Sequence, residues 1–246
     1  GIIFWIYILY KRSWPPFDRI SLILYFQFGV LNLAISYGLT YWATQFIYSS
    51  LSSIIWAGFP LSVAAFSYFM LPNERLTRKK ILSLFLGTMG ALLILKEGLN
   101  FEGDQIVLGI LVVMIAVVVA TYPSVYLKRH STAVSSLHLN AVSQIVAGIL
   151  LFIVSLIFES DQIMVWSNFN IFALIYLSIF GSLIAWYIYF WLYTHISMSQ
   201  ISYIAFFPPL LATGLGWVFL DEKLSILAIF GGGLVIMGAV LVNFDE

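Results

Sequence analysis

Two stretches of this chain, Ile20 to Asn73 and Gln162 to Leu220, contain no Asp, Glu, Lys or Arg at all. A helical bilayer crossing takes about 20 apolar residues, so each stretch is long enough for two crossings. Charged residues make up only 9% of the chain, against roughly a quarter in soluble domains, and the mean hydropathy is +1.01. No soluble core of this size needs so much apolar surface.

In lipid the backbone must satisfy its own hydrogen bonds, which leaves helices or closed barrels. Barrel strands need about ten residues of alternating polarity, and runs such as Ile110 to Ala120 do not alternate. The expected fold is therefore an all-α polytopic membrane protein. Cuts at charge clusters and turn residues give spans near Ile20 to Gln45, Ser50 to Leu71, Ile81 to Leu95, Ile106 to Leu127, Ala133 to Phe158, Ile171 to Tyr193, Met198 to Leu220 and Leu224 to Val242, eight full helices in all. Gly1 to Tyr10 is about half a crossing long and reads as the remnant of a further helix in a chain truncated at its N-terminus. A signal peptide would carry its charges before the apolar run, not after it.

Charge sets the expected orientation. Alternate loops hold Lys11, Arg12 and Arg19, then Arg75, Arg78, Lys79 and Lys80, then Lys128 and Arg129, nine of the eleven basic residues. The loops between them hold Lys96 and Lys223 with seven acids, Glu97, Glu102, Asp104, Glu159, Asp161, Asp221 and Glu222. By the positive-inside rule the basic set is cytoplasmic, and so is the C-terminus. A net charge of zero, without a basic face interleaved with aromatics, excludes nucleic acid as a partner. The chain has no cysteine, which excludes disulfides and thiolate chemistry. His130, His138 and His195 make no metal-ligand spacing. There is no nucleophile elbow and no phosphate-cradling loop, so neither cofactor nor catalytic residue is expected.

The chain also repeats itself. Ala57 to Leu93 matches Ala205 to Leu241 at a constant offset of 148 without a gap, and the less interchangeable pairs are Pro60 with Pro208, Glu74 with Glu222, and Met89, Gly90 and Ala91 with Met237, Gly238 and Ala239. Five crossings separate equivalent points in the expected topology. An odd number turns the second copy over, so the fold is expected to be an inverted-repeat helical bundle. Such repeats give one architecture two related packings, with a central site open to one side and then to the other.

Two segments, SLSSIIWAGFPLSVAAFSYFMLPNERLTRKKILSLFLGTMGALLIL and SQISYIAFFPPLLATGLGWVFLDEKLSILAIFGGGLVIMGAVL, carry a proline in mid-helix, an acid before a leucine at the turn, and a glycine-bearing helix. In these they resemble the EamA branch of the drug/metabolite transporter superfamily. The resemblance implies two inverted five-helix halves, here residues 1–104 (incomplete, lacking the first helix and part of the second) and 105–246. It also implies export of amino acids or other small metabolites. The tryptophan often found in the helix opening the second half is replaced by valine, near Val119.

Pro60 and Pro208 fall within spans and lack the N–H that the carbonyls of Trp56 and Ile204 would use, as Pro209 does for Ala205. Polar and aromatic residues share helical faces at spacings of three and four: Tyr37, Tyr41 and Gln45; Ser49, Ser53, Trp56 and Pro60; Tyr122 and Tyr126; Ser182, Trp186, Tyr189 and Tyr193. Tyr126 and Tyr193 lie near span ends and suit an interfacial belt, and Val112 is expected to face lipid. The candidate substrate-binding residues are Tyr41, Gln45, Trp56, Pro60, Tyr122, Trp186, Tyr189, Ile204 and Pro208, at the interface of the two halves. Gln45, Asn140 and Gln144 need internal hydrogen-bond partners, and Glu74 and Glu222 read as turn residues.

The expected function is a secondary transporter, an exporter of small organic metabolites such as amino acids, in a bacterial cytoplasmic membrane. Its partners are a small-molecule substrate and the lipid bilayer, and oligomeric state is not legible. Because no Asp, Glu, Lys or Arg lies inside a span, facilitated diffusion or exchange is expected. A membrane-embedded enzyme and a non-transporting scaffold or receptor are the rival readings.

Overall fold

A computed structural model of the chain describes residues 1–72, 77–95, 105–159, 166–219 and 226–243, and those residues hold helices with no strand among them. In order they are α1 (Ile2–Lys11), α2 (Arg19–Phe26), a π-helical segment (Gln27–Ser36), α3 (Tyr37–Ala43), α4 (Ser49–Trp56), α5 (Phe59–Met70), α6 (Arg78–Leu95) and α7 (Ile106–Arg129). Then come α8 (Ser136–Phe158), α9 (Asn168–Tyr176), a second π-helical segment (Leu177–Ile184), α10 (Ala185–Leu192), α11 (Met198–Tyr203), a 3₁₀ turn (Ile204–Phe206), α12 (Phe207–Phe219) and α13 (Ile226–Asn243). Five helical stretches among the described residues are long and apolar enough to cross a membrane: Arg19–Ala43, Leu51–Met70, Ile106–Arg129, Ser136–Phe158 and Asn168–Leu192. The chain is an integral membrane protein. Glu74 and Glu222, and with them the charged residues Arg75, Lys96, Glu97, Glu102, Asp104, Asp161, Asp221 and Lys223, lie outside the described residues.

The repeat reaches further in structure than in sequence. The span Arg19–Ala43 recurs as Asn168–Leu192 at an offset of 149, each interrupted by its π-helical segment at the corresponding place. The N-caps Asp18 and Ser167 correspond, as do Tyr48 and Ser197. From the prolines onward the offset is 148, which takes α6 onto α13. One residue lost between turn and break hides the upstream half of the repeat from a gapless comparison.

The described chain forms two compact units, Gly1–Gly38 with Tyr126–Ile196, and Leu39–Val125 with Ser197–Glu246. In the first, α8 is the centre. Phe4 and Ile8 of α1 pack against Ala141, and the indole N–H of Trp5 donates to the Ala141 carbonyl at 3.0 Å. The first π-helical segment closes on α8 at Gly29, where a Cβ would stand 2.9 Å from the Ser143 carbonyl oxygen, so only glycine fits. Asp18 caps α2 by accepting from the amides of Ile20 and Ser21. The Ser21 hydroxyl, then the Ser21 and Ile20 amides, hold the Asp18 carboxyl below its usual range. Lys128, in the last turn of α7, donates from Nζ to the carbonyls of Tyr193 (2.8 Å) and Ile196 (2.6 Å), placing a cation where helix α10 ends.

In the second unit α6 and α13 form the most extensive helix pair. A Cβ on Gly90 would lie 2.5 Å from the Gly231 carbonyl oxygen, and one on Gly231 would lie 2.6 Å from the Gly90 carbonyl oxygen. Apolar side chains gain nothing from one another that lipid tails do not offer, so membrane helices associate through such close backbone approach. Gly238 in turn faces the carbonyl of Ser83, at 2.8 Å from an ideal Cβ. As one index rises the other falls, so α6 and α13 run antiparallel. A further cluster joins Ala43, Ile47 and Leu51 to Val112 and Val113 of α7. Val112 is thus buried rather than lipid-facing, because Gly109 one turn earlier lets Ile47 seat against α7.

Candidate functional site

The proline segments begin new helices rather than kinking old ones. Helix α4 stops at Trp56, Ala57 and Gly58 turn, and Pro60 lies in the first turn of α5, where a missing N–H costs little. On the second copy the 3₁₀ turn re-satisfies what Pro208 cannot: the carbonyl of Ile204 accepts from the Phe207 amide. The expectation of an unserved Ile204 carbonyl is corrected accordingly. Tightening from α to 3₁₀ moves the donor from the fourth residue to the third.

Seven of the nine candidate residues lie in the second unit. Trp56 is half-buried, its Nε1 donating to Thr40 Oγ1 at 3.3 Å and its ring 6.0 Å from Phe59. Pro60 is buried, whereas Tyr122, Ile204 and Pro208 are exposed. Tyr41 is 71% exposed. Gln45 does not share a helical face with it, because α3 ends at Ala43 and Gln45 sits in the following turn, its amide donating to the Trp42 carbonyl.

Trp186 and Tyr189 lie in the first unit, inside an aromatic cluster. The Trp186 ring is 5.3 Å from Tyr189, 5.3 Å from Phe190, 6.3 Å from Phe28 and 6.2 Å from Tyr37. Edge-on and tilted contacts of this kind contribute about 0.5–1.5 kcal/mol each beyond area burial. Tyr193 was expected in an interfacial belt but is fully buried, its ring 5.4 Å from Tyr189 and 6.4 Å from Phe28. The α10 helix turns the 186–189–193 face onto the π-helical segment, which sequence spacing alone does not reveal. Phe28 and Phe190 were not singled out by sequence because phenylalanine is common here, with 21 copies. Tyr37 and Trp186 could have been paired, since they are repeat counterparts at the offset of 149.

Beside this cluster a cavity of about 860 Å³ is lined by Leu33, Tyr37, Gln144, Gly148, Ser178, Ser182 and Trp186, with Gly1 to Ile3 along one wall. Gln144 has the internal partners it was expected to need, donating to Asn140 Oδ1 at 2.9 Å and to the Ser182 carbonyl at 3.3 Å. Asn140 donates to the Ser136 carbonyl at 2.8 Å. Such a surface can stack flat solutes and exchange hydrogen bonds, and none of the lining side chains named here carries a charge. The histidines are engaged elsewhere: His138 with Ser13, His130 with Tyr126, and His195 stacked on Trp191. Among the described residues no group of three His, Cys, Asp or Glu side chains could hold a metal.

Known proteins are similar to this chain in fold and in sequence. A crystal structure aligns over 100% of this chain and 85% of its own with a TM-score of 0.84 at 19% identity, a likeness of fold. The uncharacterized transporter YoaV of Bacillus subtilis is 27% identical over 208 residues, 84% of this chain and 70% of that protein. YvbV of the same organism, also described as an uncharacterized transporter, is 26% identical over 233 residues, 95% of this chain and 73% of that protein. The uncharacterized inner membrane transporter YedA of Escherichia coli is 27% identical over 219 residues, 89% of this chain and 70% of that protein. The model of the EamA-like transporter family matches residues 1–96 and 107–244, nearly the whole chain. The chain belongs to the EamA-like transporter family.

Proposed function

We propose that the chain is a secondary carrier that exports small, net-neutral organic metabolites, amino acids among them, by alternating access between two inverted copies of one helical motif. The observation that carries this reading is the α6–α13 pair. Under the offset of 148 the contact of Gly90 with Gly231 maps onto that of Ser83 with Gly238, and both are made. Equivalent helices that meet antiparallel through exchanged contacts are what an in-plane pseudo-twofold axis produces, and carriers built so use two related packings of one architecture. The family and its relatives named as transporters support the same reading. The basic loops support a cytoplasmic C-terminus, and the inner-membrane relative supports a bacterial cytoplasmic membrane.

The residues proposed for substrate contact are Tyr41, Gln45, Trp56, Pro60, Tyr122, Trp186, Tyr189, Ile204 and Pro208. These side chains offer stacking area and hydrogen bonds but no charge, which favours solutes that carry none in net. Without a carboxylate in a described span, movement follows the solute gradient or exchange.

The test is flux of a labelled amino-acid panel into sealed vesicles holding the full-length protein. Trp186→Ala should lower uptake at least tenfold at unchanged expression, while the exposed Ile115→Ala, a lipid-facing control, should not. Absence of protein-dependent flux for every panel solute, or normal uptake by Trp186→Ala, would remove the assignment.

A further inference from the structure

The two copies treat the helix that leads into the proline break differently. In the second copy, α11 is held at both ends. Its N-cap Ser197 accepts from the Gln200 amide, and the Gln200 side chain accepts from the Ser197 amide at 2.8 Å, a complete capping box. At its far end Tyr203, 2% exposed, donates its hydroxyl to the Val235 carbonyl of α13 at 2.9 Å. The phenol fills a slot between α6 and α13: a Cβ at Gly238 would collide with the Tyr203 hydroxyl, and one at Gly87 would collide with the Phe206 ring. Tyr203 and Phe206 lock edge to face at 4.8 Å.

In the first copy none of these devices recurs. The N-cap of α4 is Tyr48, which makes no side-chain cap. The counterparts of Tyr203 and Phe206 are Ile55 and Gly58, and the counterpart of Gly87 is Val235, whose side chain crowds Gly90 where the other copy leaves a slot. The break there is a two-residue turn containing glycine, with Ala57 buried in the cluster of Tyr203 and Phe206 but no side-chain hydrogen bond of its own beyond the long Trp56–Thr40 tie beside it.

We propose that Tyr203 is a positioning residue which makes the second break the fixed support of the transport cycle, leaving the first break, at Ala57 and Gly58, to change conformation. This rests on the carrier reading for its meaning but not for its first test. That test is amide hydrogen exchange of the full-length protein in lipid nanodiscs, with no solute added. Peptides covering 49–62 should exchange at least tenfold faster than those covering 198–210. Tyr203→Phe, which keeps the ring and removes one hydrogen bond, should speed exchange in 198–210 by roughly fivefold and leave 49–62 unchanged. Ser197→Ala should speed exchange in the α11 amides to a similar degree. Equal exchange of the two breaks in the unaltered protein, or a uniform rise across both in Tyr203→Phe, would overturn the proposal, whatever the flux assay gives. For any panel solute that is carried, Tyr203→Phe should lower maximal flux several-fold at unchanged half-saturation. A shift in half-saturation instead would make Tyr203 a substrate contact and overturn the positioning role.

Discussion

The two copies agree in backbone and differ in what holds it. Both run through a 25-residue span with a π-helical interruption, a short turn, a short helix, a proline break and a glycine-bearing helix. Yet at corresponding places an aspartate cap faces a serine cap, an uncapped tyrosine faces a capping box, and isoleucine and glycine face tyrosine and phenylalanine. On the proposed alternating-access reading, backbone likeness lets both packings form, and the side-chain differences make their energies unequal.

The strongest way to break this comparison is to attack the pair both copies share. Gly231→Leu would force a side chain into the space of the Gly90 carbonyl, 2.6 Å from an ideal Cβ. Overpacking of this kind costs about 3 kcal/mol, and the variant should lose most of its folded yield. Gly233→Leu, two residues on, points into open space and should be recovered at normal yield. Thermal melting in detergent compares them, and equal stability would remove the close α6–α13 contact from the account.

A smaller effect is expected at the first break. Trp56→Phe removes the indole donor to Thr40, a contact of 3.3 Å, together with part of a ring that packs on Phe59, and membrane hydrogen bonds of this sort contribute about 0.6 kcal/mol. Exchange at Leu61 and Ser62 should rise two- to threefold. Were the rise tenfold or more, the Trp56–Thr40 bond rather than the missing anchors would govern the first break.

The smallest concerns the caps. Asp18 titrates, and its counterpart Ser167 does not. With its carboxyl held below the usual range, Asp18 adds stability that is present above its unfolded-state value and lost as pH falls through the lower folded value. Amide exchange at the start of α2 should therefore rise on acidification, once corrected for intrinsic rates, while that at the start of α9 should not. Asp18→Asn, which still caps, should abolish the difference.

Much of this was legible in sequence because lipid leaves few options. Uncharged runs fix helices, and the pairs Pro60 with Pro208 and Gly90 with Gly238 fix the repeat. The helical face of Trp186, Tyr189 and Tyr193 was legible too, since a period of 3.6 is built into the backbone. What escaped was long-range. Nothing local marks Tyr203 as the residue that enters a slot between two other helices, or Val112 as buried, because the first depends on glycines of α6 and α13 and the second on Ile47, far away in the chain, seating against α7. Gln45 was misread because a helix end at Ala43 carries no Gly or Pro signal.

Inversion of the copies is the central claim, and side-specific labelling reaches it most directly. Thr44 and Thr194 occupy corresponding exposed turns, where each hydroxyl donates to a carbonyl three residues back, Tyr41 and Trp191 respectively. With no cysteine in the chain, each can be changed to cysteine singly. In intact cells a membrane-impermeant maleimide should label Thr44→Cys, and should reach Thr194→Cys only after the cells are opened. Labelling of both from the same side would contradict inversion, and with it the alternating-access carrier built on it.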